Sequence, residues 1–289
     1  MTHPLYPYSP MVSRPKLEFP DGKRLAFYIG LNIEHFRTDV PLDRANGPLP
    51  DPLSFGWRDY GNRAGIWRMI DVFDKVGIRA SAIVNSDVCT RYPEIIQAGV
   101  ERDWAWVAHG QTNSTFMTGM TPEEEEQHLK EMFATLDATL PARPKGWLGP
   151  GLTETYDTPG LLAEAGLTYL LDWCADDQPF PLNVPGLISV PYSVDVNDFL
   201  MYVTNPGLTG PDFERVVFDQ FEVLLEESAT TGKVMALPLH TFIMGQPHRS
   251  KYLARLLKTI TSTPEVWVCT SDDIAEHYLA GYAGSSEPA

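Results

Sequence analysis

Side chains able to do chemistry collect just after five short apolar runs in this 289-residue chain. Asn32-Ile33-Glu34-His35 closes the run that begins at Arg24, and His109-Gly110-Gln111-Thr112-Asn113 closes the run from Trp104. Trp147-Leu148-Gly149-Pro150-Gly151, Asp172-Trp173 and His240 close three later ones. A carboxylate and two imidazoles, Glu34, His109 and His240, are the types needed to activate a water and protonate a leaving group. Trp147 and Trp173 would supply flat apolar walls with one N–H donor each. Arg63, in Gly61-Asn62-Arg63, either reaches a substrate carbonyl or carboxylate or makes a helix-start salt bridge. Each residue also has a structural alternative: an ion pair for Glu34, a satisfied interior histidine for His109 and His240, plain core for the tryptophans. His35 is read as structural. His3, His128, His248 and His277 are read as surface or packing residues.

The elements that must position these groups alternate. Strands are predicted over Arg24–Asn32, Arg79–Asn85, Trp104–His109, Lys145–Leu148, Leu167–Asp172, Val234–His240 and Val266–Cys269, with an extra one over Leu187–Tyr192. Helices are predicted over Asn62–Val76, Pro93–Arg102, Pro122–Leu140, Pro159–Ala165, Pro211–Ala229 and Tyr252–Thr261, and from Ser271. About seven strand–helix alternations argue for a parallel sheet with crossover helices. In a parallel barrel the active site lies at the C-terminal strand ends, where the five polar clusters fall. Their coincidence favours one pocket. Arg37–Tyr60 and Phe180–Pro191 read as long irregular segments, which in a compact domain are usually functional. No glycine-rich dinucleotide fingerprint or phosphate loop follows the first strand.

Composition excludes some partners. A formal net charge of −16 argues against nucleic acid and anionic membrane surfaces and does not itself identify a substrate; the expected partner is a small-molecule substrate. No apolar run approaches the ~20 residues of a membrane helix, and the N-terminus lacks signal-peptide character. Cys89, Cys174 and Cys269 form no C-x-x-C pair and read as reduced, mostly buried thiols, which fits a cytoplasmic setting.

At these residues the sequence resembles the polysaccharide deacetylase family, carbohydrate esterase family 4. In particular it is similar to the branch of cofactor-free allantoinases and cyclic imidases. The resemblance rests on Tyr60–Ser81, Arg91–Ile95, Gly146–Thr155, Leu161–Leu182, Pro191–Ser193 with nearby Asn197-Asp198, and Gly245–Arg249. It implies an α/β fold, a distorted (β/α)7 barrel. Residues 1–22 would be an N-terminal arm, 23–283 a single barrel domain and 284–289 a disordered tail. It also implies a homo-oligomer, a tetramer or dimer.

The family's metal enzymes use two aspartates after the first strand, an H-x-x-x-H pair after the third, an arginine after the fourth and a late histidine as acid. Carried over, Asn32 stands at the base aspartate, Glu34 at the metal aspartate, His109 and Asn113 at the histidine pair, Leu148 at the arginine and His240 at the acid. Losing the aspartate and its arginine together avoids an unpaired buried charge. Only Glu34 and His109 remain as good metal ligands, short of the usual three or four. The resemblance therefore implies a hydrolase of non-peptide C–N bonds, acting on a cyclic amide, ureide or imide and requiring no cofactor. Glu34 would be the base, its carboxyl raised toward neutrality by an apolar pocket, and His240 the acid. His109 would orient the base or the water, and Asn32 and Asn113 would donate to a carbonyl. Asn32, Arg63, Asn113, Trp147, Pro150 and Trp173 are the substrate-binding candidates. The alternatives are a metal-dependent N-deacetylase of an N-acetylated sugar or peptidoglycan fragment, with zinc or another divalent ion on Glu34, His109 and Asn113, and a non-catalytic ligand-binding barrel.

Overall fold

The computed structural model describes residues 3–42 and 48–282. Among the described residues nine strands share one sheet: β1 (Leu25–Ile33), β2 (Ser81–Val84), β3 (Ala105–Ala108), β4 (Gly146–Trp147), β5 (Tyr169–Leu170), β6 (Phe180–Pro181), β7 (Ile188–Ser189), β8 (Lys233–His240) and β9 (Val266–Val268). The order is β6-β7-β5-β4-β3-β2-β1-β8, with β9 also on β1. Every pair is parallel except β6 with β7. This is the expected α/β architecture of the (β/α)7-barrel type, with the sheet curled. Val234 N donates to Asp177 O at 2.8 Å, tying the start of β8 to the segment before β6.

β1 is the axis of the fold, and all nine of its residues are buried. β8 pairs along its length from Leu25 to Asn32, while β9 takes Leu25–Phe27 and β2 takes Gly30–Ile33 on the other edge. Side chains alternate across the sheet. Phe27, Ile29 and Leu31 face the helices, and Ala26 and Tyr28 fill the barrel with Val107, Tyr169 and Tyr192. Gly30 is required there, because a Cβ would lie 2.8 Å from Tyr192 Cε2. The arm contributes as well: Leu17 and Phe19 join this inner cluster.

Two expected irregular segments are partly regular. Within 37–60, Pro52–Tyr60 is helical, started by the Asp51 side chain accepting from Ser54 N at 3.0 Å. A π-helical turn, Gly61–Gly65, joins it to the helix Ile66–Val76. A Cβ on Gly65 would sit 2.0 Å from Thr241 O, so the helix backbone packs directly on the turn after His240. Phe180–Pro191 contains β6 and β7. The later strands are shorter than the apolar runs suggest; β4, β5 and β7 are two-residue ladders. The Pro122–Thr139 helix opens with a capping box between Thr121 and Glu124. The predicted tail at 284–289 lies outside the described residues.

Candidate active site

Strand alternation decides which side chains enter the barrel. After Ala26, Tyr28 and Gly30, the inward row of β1 continues to Asn32 and then Glu34. Inward Val107 on β3 leads to His109, and inward Val234 and Ala236 on β8 lead to His240. Glu34, His109 and His240 are all buried and line one cavity of about 350 Å³. Asn85 holds two of the strand ends together. Its Oδ1 accepts from His35 N at 2.9 Å, and its amide donates to His109 O.

The Glu34 carboxylate is the centre of the cluster. Its Oε1 accepts from Asn113 Nδ2 at 2.8 Å, and lies 3.5 Å from His109 Nε2 and 3.7 Å from His240 Nε2. Asn62 fixes the backbone below it by donating to Glu34 O at 2.8 Å. His109 Nδ1 lies 2.5 Å from Leu148 O, and a carbonyl only accepts, so Nδ1 carries the proton and Nε2 faces the cavity. His240 is held from behind by Asp198. The Asp198 carboxylate accepts from His240 Nδ1 at 2.7 Å and from its backbone N at 2.8 and 3.0 Å.

Charge partners rather than burial set the protonation states. Burial is the largest single influence on Glu34 and pushes it up. His240, His109 and Arg58 together outweigh that, so its pKa lies below the ordinary 4.5. The sequence expectation of a carboxyl raised toward neutrality is thus corrected: the walls do desolvate it, but two imidazoles and a guanidinium surround it. Burial pushes His240 down, yet Glu34 and Asp198 raise it above its ordinary 6.5. Asp198 itself is raised by burial, with His240 opposing. The site thus pairs an ionised Glu34 with a His240 whose protonated form is favoured.

Several substrate-binding candidates lie elsewhere. Arg63 is on the surface, 3.7 Å from Asp59, one helical turn earlier. Trp147 is fully buried on the outward face of β4, and its neighbour Leu148 is the residue that lines the cavity. Trp173 borders a second cavity and donates from Nε1 to Glu154 Oε2 at 3.0 Å. Pro150 is buried against Gly110, where a Cβ would meet its ring at 2.7 Å; the next residues, Gly151 and Leu152, reach the cavity. Asn32 and Asn113 line the cavity, but the Asn32 amide hydrogens are spent and Asn113 commits one of its two to Glu34. Asn32 donates to Tyr192 Oη at 2.9 Å and Leu239 O at 3.2 Å, and Asn113 donates to Glu34. His35 is structural as expected, with Nδ1 3.3 Å from Tyr92 Oη.

Two residues were not among the site candidates read from the sequence. Asp198 opens the helix Asp198–Thr204, capped by Asn197 Oδ1 accepting from Phe199 N and Leu200 N. An Asn-Asp pair before an apolar run is the signal that could have found it. Arg58 lies on the helix inside the presumed loop and enters the cavity with its guanidinium 4.8 Å above the Phe36 ring.

The donor set does not fit a tightly held divalent metal. Asn113 turns an N–H, not an oxygen, toward Glu34. Reversing its amide would set Oδ1 against an ionised carboxylate. Among the described residues no three His, Cys, Asp and Glu side chains are grouped to hold an ion. Protonated His240 already supplies the positive charge beside Glu34.

Residues 55–170 match the polysaccharide deacetylase family. A polysaccharide deacetylase-type protein of Schizosaccharomyces pombe is 27% identical over 281 residues, covering 90% of this chain and 87% of that one. Two solved structures superpose over 93% of this chain and 95% of theirs. A polysaccharide deacetylase-type protein of Pseudomonas aeruginosa PAO1 has a TM-score of 0.83 at 26% identity. PuuE allantoinase has 0.84 at 27% identity. Among the described residues no helix is long and apolar enough to cross a membrane. With the barrel and the strand-end cluster in place, the chain is similar to the polysaccharide deacetylase family in sequence over residues 55–170 and in fold over most of its length.

Proposed function

We propose that the protein opens a cyclic amide, ureide or imide by hydrolysing a non-peptide C–N bond without a required metal. The observation that carries this reading is the buried Glu34 carboxylate between two imidazole Nε2 atoms, at 3.5 and 3.7 Å, in one shared cavity. Those separations exceed direct hydrogen bonds and leave His109 Nε2 without a partner, as a water or a substrate atom would require. The likeness to PuuE allantoinase supports the class of bond.

In this mechanism water attacks the ring carbonyl carbon as Glu34 takes its proton. His109 Nε2 accepts the second water hydrogen and fixes the angle of attack. The tetrahedral oxyanion forms beside the His240 cation. His240 then gives its Nε2 proton to the ring nitrogen as the C–N bond breaks, and the product carries a carboxyl group and a released N–H. Asp198 keeps His240 in the tautomer that presents Nε2–H. The N-deacetylase alternative needs a metal ligand where Asn113 presents an N–H.

The test uses chelator-treated protein with hydantoin and succinimide rings. Wild type should open at least one of them, at a rate unchanged by the chelator. His240→Ala should lower kcat by roughly 10²–10⁴-fold with the fold intact by circular dichroism. Activity that vanishes on chelation and returns with zinc would overturn the metal-free assignment.

A further inference from the structure

Resting on that reading, we infer that the ring this site opens carries an apolar substituent rather than a polar ureido arm. The cavity has two unlike ends. Unpartnered polar atoms belong to the Glu34 end: His109 Nε2 and Asn113 Oδ1. Away from it the walls are side chains of Phe36, Leu42, Phe116, Leu152, Phe199 and Leu200.

The side-chain oxygens along those walls that could accept a hydrogen bond are engaged within the protein. Asn197 Oδ1 accepts from Phe199 N and Leu200 N at 3.0 and 3.3 Å. Ser114 Oγ accepts from Arg37 N at 2.9 Å. Arg58 donates to Ser54 O at 3.1 Å, with its guanidinium stacked on Phe36. A ureido arm placed here would exchange water for carbon and leave its donors unsatisfied. An alkyl or aryl arm would instead gain by leaving water. Phe116 shapes the rim. It is 52% exposed, which is unusual for a phenylalanine, and its ring lies 3.1 Å from where a Cβ on Gly151 would be. Phe199 lines the same cavity, its ring 5.3 Å from that of His240. A flat or branched apolar group against these walls would leave the ring carbonyl directed at Glu34.

The experiment compares substituents on one ring. Wild-type protein is assayed with hydantoin bearing hydrogen, ureido (allantoin) or benzyl at the same carbon, and with succinimide and its benzyl derivative. The benzyl compounds should be opened with a kcat/KM at least tenfold above the unsubstituted rings and above allantoin. Phe116→Ser should shrink that ratio severalfold, chiefly through KM. Equal or better turnover of allantoin would overturn the inference while leaving ring hydrolysis intact. Failure to open any of the five rings would overturn the hydrolase reading itself.

Discussion

Two carboxyl groups in this barrel, the buried Glu34 and the half-buried Glu154, are driven in opposite directions. Both are pushed up by burial. Glu34 has His240, His109 and Arg58 as neighbours and ends below its ordinary value. Glu154 lies next to Asp172 and Glu125, and ends at about 7 despite hydrogen bonds to Asp172 and Trp173. Asp172, half-buried beside Glu154, is raised as well. Burial alone therefore does not say which acid is a base in waiting. The neighbours decide, and here the ionised carboxylate is in the cavity with the imidazoles, while the proton-holding pair lies under the adjoining loop.

The largest test of this contrast is Glu34→Gln. It removes the base, and kcat should fall by roughly 10²–10⁴-fold. It also removes the main charge raising His240, so the imidazole should titrate at lower pH by NMR. An unchanged His240 titration would break the pairing even if activity were lost. Asp198→Asn is next. It should cost about tenfold or more in kcat and move the alkaline limb of the rate profile to lower pH. Glu154→Gln should act on stability rather than on rate. A carboxyl that titrates near 7 when folded and near 4.5 when unfolded binds more protons in the native state between those values. Wild-type stability should therefore fall as pH rises through that window, by on the order of 1–2 kcal/mol. Urea unfolding at pH 5 and pH 8 should show that the glutamine variant loses less. The smallest effect belongs to Arg63→Ala, which should change kcat/KM by less than about twofold, since only an exposed ion pair is lost.

Much of the site is legible because strand ends are local. Glu34, His109 and His240 each follow an apolar run, and period-two alternation carries all three inward. The same alternation, applied to β4, turns Trp147 outward and Leu148 inward, so the tryptophan was assignable to the helical layer from sequence alone. What could not be read is long-range. Asp198 meets His240 across 42 residues, and nothing local in either segment announces the other. Arg58 was hidden by proline and glycine density around a short helix. The sign of the Glu34 shift was missed for the same reason: the apolar surroundings are visible along the chain, while the two imidazoles and the guanidinium converge only in space.

The pH dependence of kcat/KM on whichever ring is opened tests the ion cluster most directly. An ionised Glu34 and a protonated His240 predict a bell with its acid limb below pH 4.5 and its alkaline limb above pH 6.5, displaced downward in Asp198→Asn. An acid limb near pH 7 would mean that Glu34 is protonated at rest, and would contradict the account.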